Sequence, residues 1–216
     1  MSVDTYTTLN RKTGSLIVKA LPKHGNRSWQ VTAEPIVEPI TVDNLKAFSY
    51  IDGDDEDTLL EGFIMAARRG AESYMGRAIV EQTIDMKMDW WPGTVVELPM
   101  PPLMSITKVA TLDEDDTETE YDSDNYYVIT EAIPGKLVLK QSVSAPSNTA
   151  RDYGGYLVRY KAGYGYEPTD VPAHIREGIK LWAAVIYSTR VIDPKNPPPE
   201  ARVMLDLART ARVMVR

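Results

Sequence analysis

The chain has 216 residues, 43% of them hydrophobic, and 24 Lys and Arg against 31 Asp and Glu give it a net charge of −7. That length fits one domain, or one domain with a sizeable insertion, and the apolar fraction is enough to build a core. The acidic balance argues against a dedicated duplex-DNA binder, and the absence of cysteine excludes disulfide frameworks, zinc knuckles, iron–sulfur clusters and thiol nucleophiles together.

The longest unbroken apolar run, Leu181 to Tyr187, is seven residues, whereas a membrane-spanning helix needs ~20. The opening stretch MSVDTYTTLNRKTG has no apolar signal region, so the expectation is a soluble chain made in the cytosol. Residues 1–37 are polar and mixed, with short apolar runs at Leu16-Ile17-Val18 and around Trp29 and Val31. They read as an extended arm or a couple of loose strands.

Residues 38–78 are predicted helical. Thr41 can cap a short helix over Val42 to Phe48, with Asn44 at the capping-box position. After the acidic turn Asp52–Asp57, a longer helix runs from about Thr58 to Met75. Leu59, Leu60, Phe63, Ile64, Ala67, Ala71, Tyr74 and Met75 recur in it at three- and four-residue spacing, and Gly76 is a natural left-handed stop.

Residues 79–169 switch to period two and form the predicted β module. Ile84, Met86, Met88 and Trp90 alternate with Asp85, Lys87 and Asp89, as in a half-buried strand. Further strands are expected at Val95 to Leu98, Ser105 to Leu112, Tyr126 to Thr130, Lys136 to Leu139 and Tyr156 to Lys161, with turns at Pro92-Gly93 and Pro134-Gly135.

A helix returns in residues 170–193, with Pro172 in its first turn and Ile175, Ile179, Trp182, Val185 and Ile186 on one face. Residues 194–216 are a proline-rich linker followed by a helix from Glu200 to about Val215. Helices, then strands, then helices argue for the α+β class: a helical bundle of two core helices plus short N- and C-terminal ones, with an inserted antiparallel β module. The predicted core of the bundle is Leu60, Phe63, Ile64, Tyr74, Ile179, Trp182 and Ile186.

No catalytic constellation emerges. His24 lies in a loop and His174 in a first helical turn, and no G-x-S-x-G elbow exists. Residues 113–124 carry eight carboxylates, but the sixth position of a calcium loop counted from Asp113 is Glu118 instead of glycine. This segment reads as a solvated hairpin tip, available as a contact patch for a basic partner. Gly154-Gly155 and Gly163-Tyr164-Gly165 make no phosphate loop. No metal or cofactor is therefore expected.

Among the aromatic residues, Trp90, Tyr74 and Trp182 fall on predicted core faces, leaving Trp91, Tyr164 and Tyr166 for the surface. In the tail, Arg202, Arg209 and Arg216 repeat at seven-residue intervals beside an apolar stripe of Ala201, Met204, Leu205, Ala208, Ala211 and Val215. That helix either folds back on its own core or is an amphipathic plug for a partner's groove.

Several of these pieces together carry a family likeness. Glu38-Pro39-Ile40-Thr41 leads into the first helix, and the long helix ends in Glu72-Ser73-Tyr74-Met75-Gly76-Arg77-Ala78. Asp89-Trp90-Trp91-Pro92-Gly93 and Leu98-Pro99-Met100-Pro101-Pro102-Leu103 come next. Tyr127-Val128-Ile129, Pro134-Gly135-Lys136-Leu137, Val158-Arg159-Tyr160-Lys161-Ala162-Gly163-Tyr164-Gly165 and Val171-Pro172-Ala173-His174-Ile175-Arg176 complete the series. In order and spacing, Glu38 to Arg190 resembles the head–tail connector (adaptor, or head-completion) proteins of long-tailed bacteriophages.

The resemblance implies a non-enzymatic structural protein. It would form a ring, usually of twelve copies, under the portal, join it to stopper or tail-completion proteins, and extend the channel that double-stranded DNA crosses. It implies residence in the virion neck, with the host cytoplasm as the place of assembly, and no membrane. Portal docking would fall to the tail: Arg202, Met204, Leu205, Ala208, Arg209, Arg212, Val215 and Arg216. Contacts between subunits or rings would fall to Trp91, Asp113, Glu114, Asp115, Asp116, Tyr164 and Tyr166. The arm is longer than usual for such proteins and the acidic tip larger. A ligand- or carbohydrate-binding β module using Trp91, Tyr164 and Tyr166 is the alternative, and a metal-dependent hydrolase using the carboxylates a third.

Overall fold

A computed structural model describes residues 27–146, 150–191, 193 and 196–209 in full, and residues 5–9 and 16–20 as backbone strands. Strands β1 (Thr5–Leu9) and β2 (Leu16–Ala20) pair antiparallel as a sheet of their own, and β3 (Arg27–Ala33) follows. Helix α1 (Val42–Ser49) starts at the expected capping box: the Asn44 N–H donates to Thr41 Oγ1 at 3.1 Å and the Thr41 N–H to Asn44 Oδ1 at 3.2 Å. Helix α2 (Asp57–Met75) ends at Gly76, whose φ of 68° is the left-handed conformation the sequence reading required.

Seven strands follow: β4 (Gln82–Met88), β5 (Val95–Glu97), β6 (Leu103–Leu112), β7 (Glu118–Glu120), β8 (Tyr126–Ile129), β9 (Lys136–Leu139) and β10 (Tyr156–Ala162). Helices α3 (Ala173–Thr189) and α4 (Pro199–Asp206) close the described chain. The strands make an antiparallel five-stranded sheet in the order β3-β4-β10-β6-β7 and a three-stranded sheet in the order β5-β9-β8. The expected α+β architecture is thus present.

Two hydrophobic cores follow this division. In the helical one, Leu60, Phe63, Ile64, Ile179, Trp182 and Ile186 are buried, while Tyr74 is half-buried at its margin. Each fully buried side chain of this size contributes about 1.5–3 kcal/mol. Helices α2 and α3 approach closely because position 70 lacks a side chain: a Cβ there would lie 2.7 Å from Trp182 Cη2. The second core holds Ile84, Met86, Met88, Val96, Leu98, Val109, Leu137, Val158 and Tyr160 between the two sheets.

Three expectations are corrected. Residues 27–33 lie within the predicted arm, yet they form the edge strand of the large sheet, Trp29 opposite Met86. Strand β4 is not half-buried, because β3 and β10 flank it, and the expected solvent-facing Asp85 is 5% exposed and gripped by Arg159 through two bonds of 2.7 Å. The last helix ends at Asp206 instead of near Val215, and of its two alternatives the fold-back on its own core is the one seen, with Ala201, Leu205 and Ala208 in the helical core against α3. Gly178 makes room for it, since a Cβ there would sit 2.9 Å from Leu205 Cδ2.

Candidate assembly surfaces

The joint between helices and sheet is built around a cation that sequence reading missed. Arg68 on α2 is 1% exposed and donates to Glu38 Oε2 at 2.8 Å, Glu72 Oε2 at 3.0 Å and Glu34 Oε2 at 3.2 Å. Glu34 and Glu38 belong to the connection from β3 to α1, so this one guanidinium ties that connection to α2. Glu72 turns its other oxygen to the Ile79 N–H at 3.1 Å and Gln82 Nε2 at 3.0 Å, at the entry to β4.

Burial pushes the Glu72 carboxyl up to about 7, against the opposing pull of Arg68 and the Ile79 N–H. Burial also disfavours the Arg68 charge, but Glu72, Glu38 and Glu34 outweigh it and hold the guanidinium above its ordinary range. The only sequence signal was the i,i+4 spacing of Arg68 and Glu72.

The acidic turn before α2 also acts structurally. Lys46 pairs with Asp54 at 2.7 Å and with Asp57, while Tyr187 Oη donates to Glu56 Oε2 at 2.7 Å. The Tyr187 hydroxyl, with Arg190 behind it, holds the Glu56 carboxyl below its usual range. The first three helices are laced together here.

At the tip of the β6–β7 hairpin, Asp113 Oδ1 accepts from the N–H groups of Asp115 at 3.0 Å and Thr117 at 2.9 Å. Asp116 has a φ of 61° and pairs with Arg151. Glu114 and Asp115 are exposed. Among the described residues no group of three or more His, Asp or Glu is placed to hold a metal ion.

The aromatic assignments change. The chain bends at Asp89, whose carboxylate accepts the Gly154 N–H at 2.8 Å. Alternation therefore stops at Met88: Trp90 is 41% exposed, and Trp91 packs half-buried beside Tyr156 with ring centroids 6.0 Å apart. Tyr164 packs against the helical core and its hydroxyl accepts from Arg77 Nη1 at 3.2 Å. Tyr166 is exposed beneath Lys161. Trp91 and Tyr164 thus belong to different cores, and the three rings do not share a pocket.

On α4, Tyr74 Oη donates to Asp206 Oδ1 at 2.6 Å and Arg209 lies over the Tyr74 ring at 4.7 Å. Leu205 and Ala208 are turned inward, so the outward face consists of Glu200, Arg202, Val203, Asp206, Leu207 and Arg209, with Met204 half-buried. Arg212, Val215 and Arg216 lie outside the described residues. A second surface was not anticipated: in edge strand β8, Tyr127, Val128 and Ile129 are all exposed.

The connector resemblance read from the sequence is borne out. Residues 39–117 match the family model described as phage gp6-like head-tail connector protein. Among solved structures, a chain from the neck of an empty gene transfer agent particle, computed with C6 symmetry, aligns with a TM-score of 0.73 and 17% identity, covering 88% of this chain and 98% of that one. A chain from the virion of a native gene transfer agent particle gives 0.73 and 18%, covering 87% and 98%. One from the native neck computed with C12 symmetry gives 0.67 and 18%, also covering 87% and 98%. At these identities the likeness is one of fold. No curated protein matches the chain.

Proposed function

We propose that this chain is a non-enzymatic structural connector of a phage or phage-like neck. Copies form a ring, of twelve by the family resemblance, between the portal and the stopper or tail-completion proteins, and DNA crosses the channel they extend. The observation that carries this reading is that the segment matching the connector family, residues 39–117, sits inside a fold shared over 88% of the chain with a neck protein.

The helical bundle, residues 38–78 and 170–193, is the ring-building body, and the β module of residues 79–169 carries contacts to neighbouring rings through Trp91, Tyr166 and the Asp113–Asp116 tip. Ring contacts of this kind are heterologous and close by rotation. The outward face of α4, together with Arg212, Val215 and Arg216, docks on the portal. A net-acidic conduit also suits passing DNA, since each neutralised phosphate would add affinity through counterion release.

Deleting the gene tests the reading. The expected outcome is DNA-filled heads without tails, restored by the gene supplied in trans. Normal tail attachment in the deletion strain would refute it.

A further inference from the structure

An edge strand with free backbone groups is a template for another strand, and proteins blunt such edges with charge or cover them. Strand β7, one edge of the large sheet, reads Glu118-Thr119-Glu120 and is blunted by its own carboxylates. Strand β3, the other edge, carries Arg27, Ser28, Gln30 and Thr32. Strand β8 carries no charged residue of its own: Tyr127, Val128 and Ile129 are 56%, 37% and 37% exposed in succession, and Lys140 lies over the Tyr127 ring at 5.2 Å. The exposed carboxylates Asp122 and Asp124 precede it and Glu131 follows it.

The chain contains a segment of the opposite character. Strand β2, Leu16-Ile17-Val18-Lys19-Ala20, is apolar and lies among cations: residues 1–27 hold Arg11, Lys12, Lys19, Lys23 and Arg27 against Asp4 alone. Residues 28–200 hold 29 carboxylates against 15 Lys and Arg. Strands β1 and β2 pair only with each other within the sheets described, and a lone two-stranded hairpin is marginally stable in water.

We propose that β8 of one copy receives β2 of a second copy as an added antiparallel strand. This deepens the ring reading and rests on it in that copies must meet side by side. In the sequence β2 has Arg11 and Lys12 before it and Lys23 after it, while β8 has Asp122 and Asp124 before it and Glu131 after it, so an antiparallel pair would have opposite charge at both ends. Backbone bonds supply the pairing and charge supplies the register. The cation-rich arm also offsets the repulsion between copies of charge −7.

Because the chain has no cysteine, two full-length variants, Val18→Cys and Val128→Cys, test this directly. They are mixed and oxidised, alone and with the portal protein of the same particle. The expected result is a disulfide-linked dimer several-fold more abundant in the mixture than in either variant by itself, and reduced when Val128→Cys also carries Asp122→Lys and Asp124→Lys. No excess of mixed dimer in either condition overturns the proposal. So does a Val18→Cys/Val128→Cys double variant that closes only within one chain. Portal binding by the unaltered protein is measured in parallel: binding without the mixed dimer overturns this inference alone, and loss of binding overturns the connector reading.

Discussion

At the joint between helices and sheet, Glu34, Glu38 and Glu72 converge on one buried guanidinium, whereas at the β6–β7 tip the carboxylates of Asp113–Asp116 stand in solvent with Arg151 at their margin. Both groups are acidic, and in the sequence the second is far the more conspicuous. Solvation makes the difference. Exposed pairs contribute about 0–1 kcal/mol, while a buried charge that loses its partner leaves a desolvated ion behind. The quiet cluster ties three segments of the chain together, while Glu114 and Asp115 of the conspicuous one are exposed.

Arg68→Met has the largest expected effect, because it leaves Glu72 buried with two further carboxylates close by. Unfolding by denaturant should show a loss of about 3–5 kcal/mol; an unchanged midpoint would mean the cluster does not hold the joint.

Glu72→Gln reads the buried cluster through pH. The folded carboxyl titrates near 7 and the unfolded one near 4.5, so between these values the folded state keeps a proton that the unfolded state has released. Stability from this group is complete below about 4.5 and is lost as pH rises through about 7. At ~1.4 kcal/mol per decade this is worth about 3 kcal/mol. Relative to the Glu72→Gln variant, the wild-type protein should therefore lose stability from pH 5 to pH 8, by up to about that amount; parallel profiles would contradict the assignment.

Removing α4 by truncation before Pro199 exposes the α3 surface that Ala201 and Leu205 cover. The packing predicts a melting temperature lower by several degrees, the effect of about 1–2 kcal/mol in a chain of this size. At the other extreme, Glu114→Ser with Asp115→Ser should shift stability by no more than about 0.5 kcal/mol. A larger loss would make the tip part of the fold instead of a contact surface.

The helices were legible because their packing is local and periodic: Leu60, Phe63, Ile64 and Ala67 mark one face of α2, and Thr41 and Gly76 punctuate α1 and α2. The Pro134-Gly135 turn between β8 and β9 was legible for the same reason. What escaped depends on distant partners. Asp85 looks solvent-facing until β10 brings Arg159 against it. Arg68 looks like a surface arginine until Glu34 and Glu38, 34 and 30 positions earlier in the chain, fold over it. Strand β3 shows no alternation to read, since nearly all of it is exposed. The candidate surfaces were partly visible as the acidic tip and the arginine-bearing tail. The open edge of β8 became visible only once the sheet order was known.

As a connector, the chain proposed above would work by fitting between other proteins. Electron microscopy of the purified protein mixed with the portal of the same particle decides whether it does. A ring of this chain, seated coaxially on each portal, is the predicted image; bare portals beside unassembled protein at saturating concentration would contradict it.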